Sequence, residues 1–503
     1  MRRTCSEWLW GKSAKFSYLL IASAVMLFAF LGSREIWTQE HRWTDIVYAM
    51  LYHHDYLHPR LNGVDYYDKP LLSYWLIAGL AKLVGGLTTW VMRLPSALAG
   101  LLAIGSIYHL GTHLKNRHLG LLSGWMLITT FYFIFWARIS SADMLNLAGT
   151  LFAVAWYFAK KSQTSFLDYV IFFLILAVTA LCKGLVGPVV AGLVIFLDVL
   201  MNRSWKQHLK LRIFFALIPA AIVYMLPFLA SAHVDGNQYG ENGLVLVYRE
   251  NIVRYFQPFD HKGPLYTYFI FLPVYLLPWT LFFIPALITL KSRWKTMSSN
   301  SKWMVWSVAL LFLFFTLSGS RRNYYVLPIV PFAILFTADW ILAGAETLKR
   351  NRWAGRMAMT FFVLFFISFD LGQWIYYSGG GMDVFARTLR EQTQTIKPWS
   401  EWDVVMLDPE SKIRFYLNVS PDVKNYSIDG DQRAQQTTKS LLTAWPFLRE
   451  ANRKKNNIFI SRRQYEKQLK NILTNYRVIE ALPTYGERIF KDYSNLTIAF
   501  VPI

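Results

Sequence analysis

The chain has 503 residues, of which 54% are hydrophobic and 17% are charged. An ordinary soluble protein is roughly 25% charged, and here the apolar residues fall in blocks long enough to span a bilayer, which argues against a soluble protein and indicates a polytopic membrane protein. Two cysteines, Cys5 and Cys182, exclude a disulfide framework and a cysteine-based zinc site. The net charge is +21, but many basic residues lie in short loops between apolar runs, so they predict contact with a membrane and no binding of nucleic acid.

Eleven apolar runs approach the 20 or so residues needed for one membrane crossing. They begin near Phe16, Thr89, Leu119, Ala142, Phe166, Leu185, Ile213, Tyr266, Trp303, Tyr325 and Met357. A further apolar stretch at residues 71–84 is shorter and carries Lys82. It predicts a re-entrant helix or one that lies at the membrane interface.

Loop charges predict the orientation of these runs. With the N-terminus inside, the N-terminal segment and five inner loops hold 20 basic residues, whereas the longer outer segments hold 11 and interleave them with acids. Because basic residues concentrate in cytoplasmic loops, this pattern places the C-terminus outside. Two outer loops are long, at residues 33–70 and 233–264.

Residues 378–503 differ in kind from the rest of the chain. Charged residues recur every few positions, and short β-type runs at 403–407 and 457–460 alternate with helix-like stretches, which predicts a small α/β domain. The predicted fold is therefore an all-α polytopic membrane bundle of about 11 to 13 transmembrane helices over residues 1–377, with a C-terminal α/β domain at 378–503 on the outer face.

Ionisable residues near the outer ends of helices are candidates for function, because burial of a charge there costs several kcal/mol unless it is compensated. Asp68 and Lys69 stand where the chain re-enters the membrane, and an interfacial charge pair is the structural alternative. Asp143 follows Ser141 at the start of a helix, where a capping role is the alternative. Lys183 is suited to phosphate, or it extends toward the interface.

Other charged residues allow two interpretations. Arg254 suits a phosphate or is a solvated loop charge, and the outward position of Arg321 and Arg322 fits either an anionic ligand or simple exposure. Asp370, within the last apolar run, is predicted to pair with a neighbouring helix. The first outer loop also contains a group of histidines that matches no metal-site template, so a surface role is favoured. They are His41, His53, His54 and His58.

Several short motifs occur in a fixed order between residues 15 and 340. They are Gln39-Glu40-His41-Arg42-Trp43, Pro59-Arg-Leu-Asn-Gly63, Tyr66-Tyr-Asp-Lys-Pro70, Arg93-Leu-Pro-Ser-Ala97, Ser140-Ser-Ala-Asp143, Lys183-Gly184, Glu250-Asn-Ile-Val-Arg-Tyr255, Pro278-Trp279 and Ser320-Arg-Arg-Asn-Tyr-Tyr-Val-Leu-Pro328. Together they resemble the polyprenyl-phosphate-sugar-dependent GT-C glycosyltransferases, specifically the protein O-mannosyltransferase and lipid A aminoarabinose transferase group.

The resemblance implies an inverting transferase of a bacterial inner membrane, with its active site and C-terminal domain in the periplasm. A sugar on a polyprenyl (undecaprenyl) phosphate would be the donor, and lipid A, a glycan or a protein the acceptor. The implied site has three groups of residues, with a divalent metal left open. They are Glu40, Asp68 and Asp143 as catalytic acids, Lys69, Lys183 and Arg254 for the donor phosphate, and Arg42, Arg138 and Arg321 for the acceptor.

The sequence departs from the family pattern at Gln39, where the family has an aspartate. A glutamine cannot act as a general base, so either Glu40, Asp68 or Asp143 accepts the proton of an alcohol acceptor, or the acceptor is an ionised phosphate. Two alternatives to a transferase stay open. One is a transporter or flippase of lipid-linked sugar, although the sequence lacks the internal repeats that transporters usually show; the other is an altered homologue that only binds.

Overall fold

The computed structural model describes residues 4–37, 39–61, 63–67, 69–208, 210–235, 248–257, 261–344, 346–410, 412–428, 441–442, 445–451, 456–490 and 493–503. The chain divides into two compact units. The first, here called the helical unit, comprises Met1–Leu31, Tyr56–Pro59 and Tyr66–Asp370. The second, here called the mixed unit, comprises Gly32–Asp55, Arg60–Asp65 and Leu371–Ile503.

The helical unit is built from the apolar runs, each of which is helical along most of its length. Several helices begin at a Ser, Thr or Asn whose side chain accepts a backbone N–H of the first turn, as at Thr88, Asn116 and Ser298, which satisfies donors that the helix cannot pair itself. The helices are Cys5–Trp10, Phe16–Phe28, Leu72–Val84, Thr89–Leu114, Arg117–Ile128, Phe131–Ala137, Ala142–Lys160, Phe166–Lys183, Val186–Met201, Trp205–His208, Leu211–Asp235, Arg249–Val253 (π), Arg254–Phe256, Thr267–Tyr275, Thr280–Ile288, Leu290–Arg293, Ser299–Leu317, Asn323–Ile329 (3-10), Val330–Ile341, Thr347–Phe365 and Phe366–Gly372 (π).

Within the described residues, seven helices are long and apolar enough to cross a membrane, or eight if the bent pair Arg117–Ile128 and Phe131–Ala137 forms one span. The other predicted runs are shorter. Phe16–Phe28 and Val186–Met201 have 13 and 16 residues. The run that begins near Tyr266 is split into Thr267–Tyr275 and Thr280–Ile288, because Pro278, which lies between them, has no backbone N–H to continue the helix.

The predicted re-entrant or interfacial stretch forms the helix Leu72–Val84, which ends at Gly85 with a φ of +85°. At 1.5 Å per residue, its 13 residues span about 20 Å, which is less than the roughly 30 Å of a bilayer core. The length of this helix agrees with the sequence prediction.

The mixed unit combines part of the first long loop with the C-terminal segment. Residues 32–65 contribute the helix His41–His53 and a short antiparallel pair, β1 (Arg60–Leu61) and β2 (Val64–Asp65). The C-terminal segment contributes β3 (Asp403–Leu407), β4 (Asn425–Tyr426), β5 (Asn457–Arg462), β6 (Tyr476–Glu480) and β7 (Thr497–Pro502). Its helices are Gln373–Tyr377, Met382–Gln394, Trp399–Glu401 (3-10), Ile413–Leu417, Phe447–Ala451, Arg463–Tyr465 (3-10), Glu466–Lys470 and Tyr485–Phe490.

The five C-terminal strands form one sheet in the order β4-β3-β5-β7-β6, with β3 parallel to β4 and β5, and β7 antiparallel to its neighbours β5 and β6. Because side chains alternate across a strand, Ile458 and Ile460 pack in one core with Phe385 of the helix Met382–Gln394, whereas Phe459 packs in a second core on the other face. Burial of both faces explains the apolar runs that predicted β3 and β5.

Glu35 connects the first long loop to the C-terminal segment within the mixed unit. Its carboxylate accepts the backbone N–H of Met382, at the start of the helix Met382–Gln394, at 2.5 Å. Gly381 has a φ of +93°, and a Cβ atom at this position would overlap the carboxylate. Glycine is therefore required at 381 both by the backbone conformation and by the close approach of Glu35.

Candidate functional site

Two of the predicted site residues, Asp143 and Lys183, meet in the helical unit. Asp143 lies in the first turn of Ala142–Lys160, where the Ser141 hydroxyl accepts its backbone N–H at 3.3 Å. Lys183 is the last residue of Phe166–Lys183, which ends at Gly184 with a φ of +119°. The two side chains form an ion pair and are 14% and 20% exposed. The pair is thus partly accessible.

Two tyrosine rings stand beside the ammonium group of Lys183. The nitrogen lies 5.9 Å from the ring centroid of Tyr324 and 5.7 Å from that of Tyr325. These distances are within the range of cation–π attraction. The Tyr324 hydroxyl also accepts a hydrogen bond from Arg322 at 2.8 Å, so Arg322 adds a second cation to this cluster.

Arg254, the third predicted phosphate ligand, forms an ion pair with Glu250 one helical turn earlier. Between them, the side-chain oxygen of Asn251 accepts the backbone N–H of Leu185 at 2.9 Å. A Cβ atom at Gly184 would lie 3.1 Å from the same oxygen. Close packing at Gly184 therefore places the short helix that carries Arg254 against the loop that follows Lys183.

The remaining candidates of the helical unit are placed differently. Arg321 donates from Nε to the carbonyl of Thr316 at 3.0 Å and from Nη1 to that of Gly263 at 2.6 Å, so much of its donor capacity orders the surrounding loops. Lys69 is half-buried just before the helix Leu72–Val84. Asp68 lies outside the described residues.

Arg138 is buried, with 5% of its side chain exposed, and pairs with Asp370 at 2.8 Å. It also donates to the carbonyls of Met26 and Ala29 at 2.7 and 2.9 Å. The prediction that Asp370 pairs with another helix is confirmed. These contacts connect three helical segments, and a role of Arg138 in acceptor binding stays a prediction.

Glu40 and Arg42 belong to the mixed unit. Glu40 is 1% exposed, pairs with Arg34 at 3.3 Å and accepts the backbone N–H of Trp37 at 2.9 Å. Arg42 is half-buried, with its guanidinium 5.3 Å from the ring centroid of Trp43. A neighbouring carboxylate of the same helix, Asp45, has its pKa raised to about 6 by burial, against opposing effects of Arg414 and His41.

In the part of the chain that the structure describes, no three or more His, Cys, Asp or Glu side chains lie close enough together to hold a metal ion. His53 pairs instead with Asp422 at 3.2 Å.

Sequence reasoning named Asp143, Lys183 and Arg254 separately but missed their partners. Four of these partners were assigned no individual role from the sequence, although they occur in the family motifs. They are Glu250, Asn251, Tyr324 and Tyr325. A usable signal was the i, i+4 spacing of Glu250 and Arg254, which favours ion pairing on a helix. The association of Lys183 with the tyrosines joins residues some 140 positions apart, for which the sequence offers no local signal.

The chain is similar to known proteins over much of its length. A family model described as dolichyl-phosphate-mannose-protein mannosyltransferase matches residues 68–230. An uncharacterised protein of Aquifex aeolicus is 26% identical over 67% of this chain and 65% of its own length. An undecaprenyl phosphate-alpha-4-amino-4-deoxy-L-arabinose arabinosyl transferase of an Enterobacter species is 25% identical over 68% of this chain and 63% of its own length. The chain therefore covers just under two thirds of these relatives.

Among solved structures, the chain is similar to ArnT from Cupriavidus metallidurans bound to undecaprenyl phosphate. The TM-score is 0.72 at 16% identity, and the match covers 96% of this chain and 98% of that protein. At this level of identity the likeness concerns the fold.

Proposed function

Because the chain belongs to the GT-C group that includes the protein O-mannosyltransferases and aminoarabinose transferases, we propose that it is a glycosyltransferase that uses a polyprenyl-phosphate sugar. The acceptor would be a lipid A, glycan or protein group on the periplasmic face of a bacterial inner membrane. The observation that carries the proposal is the cluster in the helical unit, where Lys183, paired with Asp143 and flanked by two tyrosines, adjoins the helix of Arg254.

The proposed reaction is an inverting displacement. The acceptor oxygen forms a bond to the anomeric carbon while the bond from that carbon to the donor phosphate breaks, and the polyprenyl phosphate leaves with the electron pair. Lys183 and Arg254 would stabilise the charge that develops on the leaving oxygen, since fixed cations at such a position lower the barrier. Their carboxylate partners hold the two cations in position until a phosphate replaces them.

A base is needed if the acceptor is an alcohol. Gln39 cannot serve, so Glu40, Asp68 or Asp143 would take the proton. Glu40 is held by Arg34 and by the backbone of Trp37, which fixes its orientation. We propose Glu40 and Asp68, in the first long loop, as the first residues to test.

The test is transfer by purified protein from a polyprenyl-phosphate aminopentose, followed by mass spectrometry of lipid A, glycan and protein fractions from cells with and without the gene. For an alcohol acceptor, the rate should rise with pH through a carboxylate pKa and fall by about 100-fold or more in Glu40→Gln or Asp68→Asn. A phosphate acceptor should leave the pH profile of both variants unchanged. Movement of intact lipid-linked sugar across vesicles without transfer would instead identify a flippase.

A further inference from the structure

A polar cavity of about 530 Å³ lies within the mixed unit. Its wall combines Arg34, Glu35 and Trp37 of the first long loop with Tyr377, Glu410 and Lys412 of the C-terminal segment. The volume falls in the range of about 300 to 1,000 Å³ that is typical of small-molecule sites. Two segments separated by some 340 residues thus jointly enclose a space large enough for a ligand.

The charges that line this cavity balance one another. Lys412 pairs with Glu35 at 2.7 Å and with Glu410 at 2.9 Å. Burial lowers the pKa of Lys412, but the two carboxylates outweigh burial and raise it overall, so the lysine stays cationic. Arg34, also a cation of the wall, pairs with Glu40 at 3.3 Å.

This balance disfavours a phosphate as the ligand. Phosphate sites need cations or N–H donors in excess of the local negative charge. Here the cations of the wall are Arg34, Lys412 and, when it is protonated, His41. They are matched by two wall carboxylates, Glu35 and Glu410, and by Glu40 behind Arg34. An anion that entered would have to displace a carboxylate or stand beside one, and like charges at contact distance repel strongly.

An uncharged sugar suits the same wall. Trp37 and Tyr377 contribute aromatic side chains to the wall, which suits contact with the C–H face of a pyranose, and both residues are half-buried. Carboxylates accept hydrogen bonds and an ammonium group donates them, so Glu410, which is 30% exposed, and Lys412 together match hydroxyl groups, which do both. Arg34 also forms an ion pair with Glu40. A residue of the cavity wall therefore contacts a carboxylate that is proposed to act on the acceptor.

We infer that this cavity binds an uncharged sugar ring of the acceptor. That the bound sugar belongs to the acceptor rests on the proposed function. That the ligand is an uncharged sugar rests on the residues of the cavity wall. This ligand class favours a hydroxyl group over a phosphate as the point of attachment.

The test is isothermal titration of the full-length protein in nanodiscs, without donor, using N,N′-diacetylchitobiose and the same disaccharide carrying a 1-phosphate. The uncharged probe should bind at least 10-fold more tightly than the phosphorylated one. Trp37→Ala and Glu410→Gln should each weaken its binding by 10-fold or more, and Trp37→Phe should restore most of the loss. Glu401→Gln, an exposed acid of the same unit, is the matched control and should bind as the wild type does.

Tighter binding of the phosphorylated probe, no binding of either, or binding that Trp37→Ala and Glu410→Gln leave unchanged would overturn the inference. Thermal unfolding of each variant, compared with the wild type, separates lost binding from lost folding, and Trp37→Phe provides a second variant of the same wall. Sugar binding without any transfer would refute the proposed function and leave the cavity assignment standing. Transfer with an unchanged acceptor KM in both cavity variants would refute the cavity assignment and leave the proposed function standing.

Discussion

Two acid–lysine pairs lie toward opposite ends of the helix Ala142–Lys160. At one end, the Asp198 carboxylate accepts two hydrogen bonds from Lys161 at 2.9 and 3.0 Å, one from the Tyr157 hydroxyl at 2.9 Å and one from the Asn202 amide at 2.9 Å. At the other end, the Asp143 carboxylate takes a bond from Lys183, its one side-chain partner among the described residues.

A carboxylate offers about four positions for hydrogen bonds, so Asp198 is saturated whereas Asp143 is not. The exposure of the two carboxylates agrees, at 2% for Asp198 and 14% for Asp143, whereas the two lysines are similarly exposed, at 29% and 20%. A saturated and buried carboxylate acts as a fixed connection between helices, because an exchange of its partners would leave a buried charge unsatisfied. An unsaturated and partly exposed pair can exchange its partner for a ligand at much lower cost.

Replacement of Lys183 should give the largest functional effect. Lys183→Ala should lower transfer by a factor on the order of 10 to 1000 at donor concentrations below saturation, since one charged contact is worth roughly 1.5 to 4 kcal/mol. Lys161→Ala is the matched control at the saturated pair, and its rate per folded molecule should stay within about twofold of the wild type. Wild-type turnover in Lys183→Ala would remove this lysine from the site.

The free energy of unfolding should respond in the opposite order, with a larger loss at the Asp198 pair than at the Asp143 pair. Asp198→Ala takes the acceptor away from the Tyr157 hydroxyl and from Lys161, which is 29% exposed, and each donor left unpaired costs about 1 to 3 kcal/mol. Asp143→Ala should cost about 1 kcal/mol or less, because its pair is partly exposed. Denaturant unfolding of the purified protein in detergent measures both values, and an equal loss in the two variants would contradict the distinction.

Asp45 extends the comparison to a buried acid that makes no ion pair with a described residue. Its pKa is raised from 3.8 to about 6, so the folded state binds the proton more tightly than the unfolded state does. Protonated Asp45 therefore adds about 3 kcal/mol to the free energy of unfolding. This stabilisation is complete below pH 3.8 and is lost as the pH rises through 6. The free energy of unfolding of the mixed unit should fall by up to this amount between pH 4 and pH 7.5.

The control for this effect is Asp45→Asn, which carries no charge at any pH. Unfolding of this variant, followed by the fluorescence of a reporter in the mixed unit, should lack the decline. If the free energy of unfolding of Asp45→Asn declined with pH as it does in the wild type, the pH dependence would come from other groups.

Much of the fold follows from local patterns. Apolar runs of bilayer length predicted the helices, the runs at 403–407 and 457–460 predicted β3 and β5, and the family resemblance is confirmed. The break between Thr267–Tyr275 and Thr280–Ile288, which contains Pro278, was not predicted, although a proline within an apolar run signals such an interruption. Grouping of residues 32–55 with the C-terminal segment depends on contacts such as Glu35 with Met382, which no local pattern encodes.

The candidate site was predictable as a set of residues and not as a set of pairs. Asp143 and Lys183 stood out because each is a charge beside an apolar helix, but their meeting depends on how two helices pack. Asp370 was expected to find a partner, and the partner proved to be Arg138, 232 positions earlier. Charge beside a helix is visible in a sequence, whereas the choice of counter-charge is a property of the packing.

The contact of Glu35 with the start of the helix Met382–Gln394 also has a consequence for synthesis of the protein. Roughly 300 residues separate the two segments of the mixed unit, and a ribosome adds about 5 to 20 residues per second. Glu35 must therefore wait on the order of 15 to 60 seconds for its C-terminal partners, Met382 and Lys412, to be made. During that interval the nascent first loop carries its acids without their final surroundings, and a chain that stops short of Gly381 keeps it in that state.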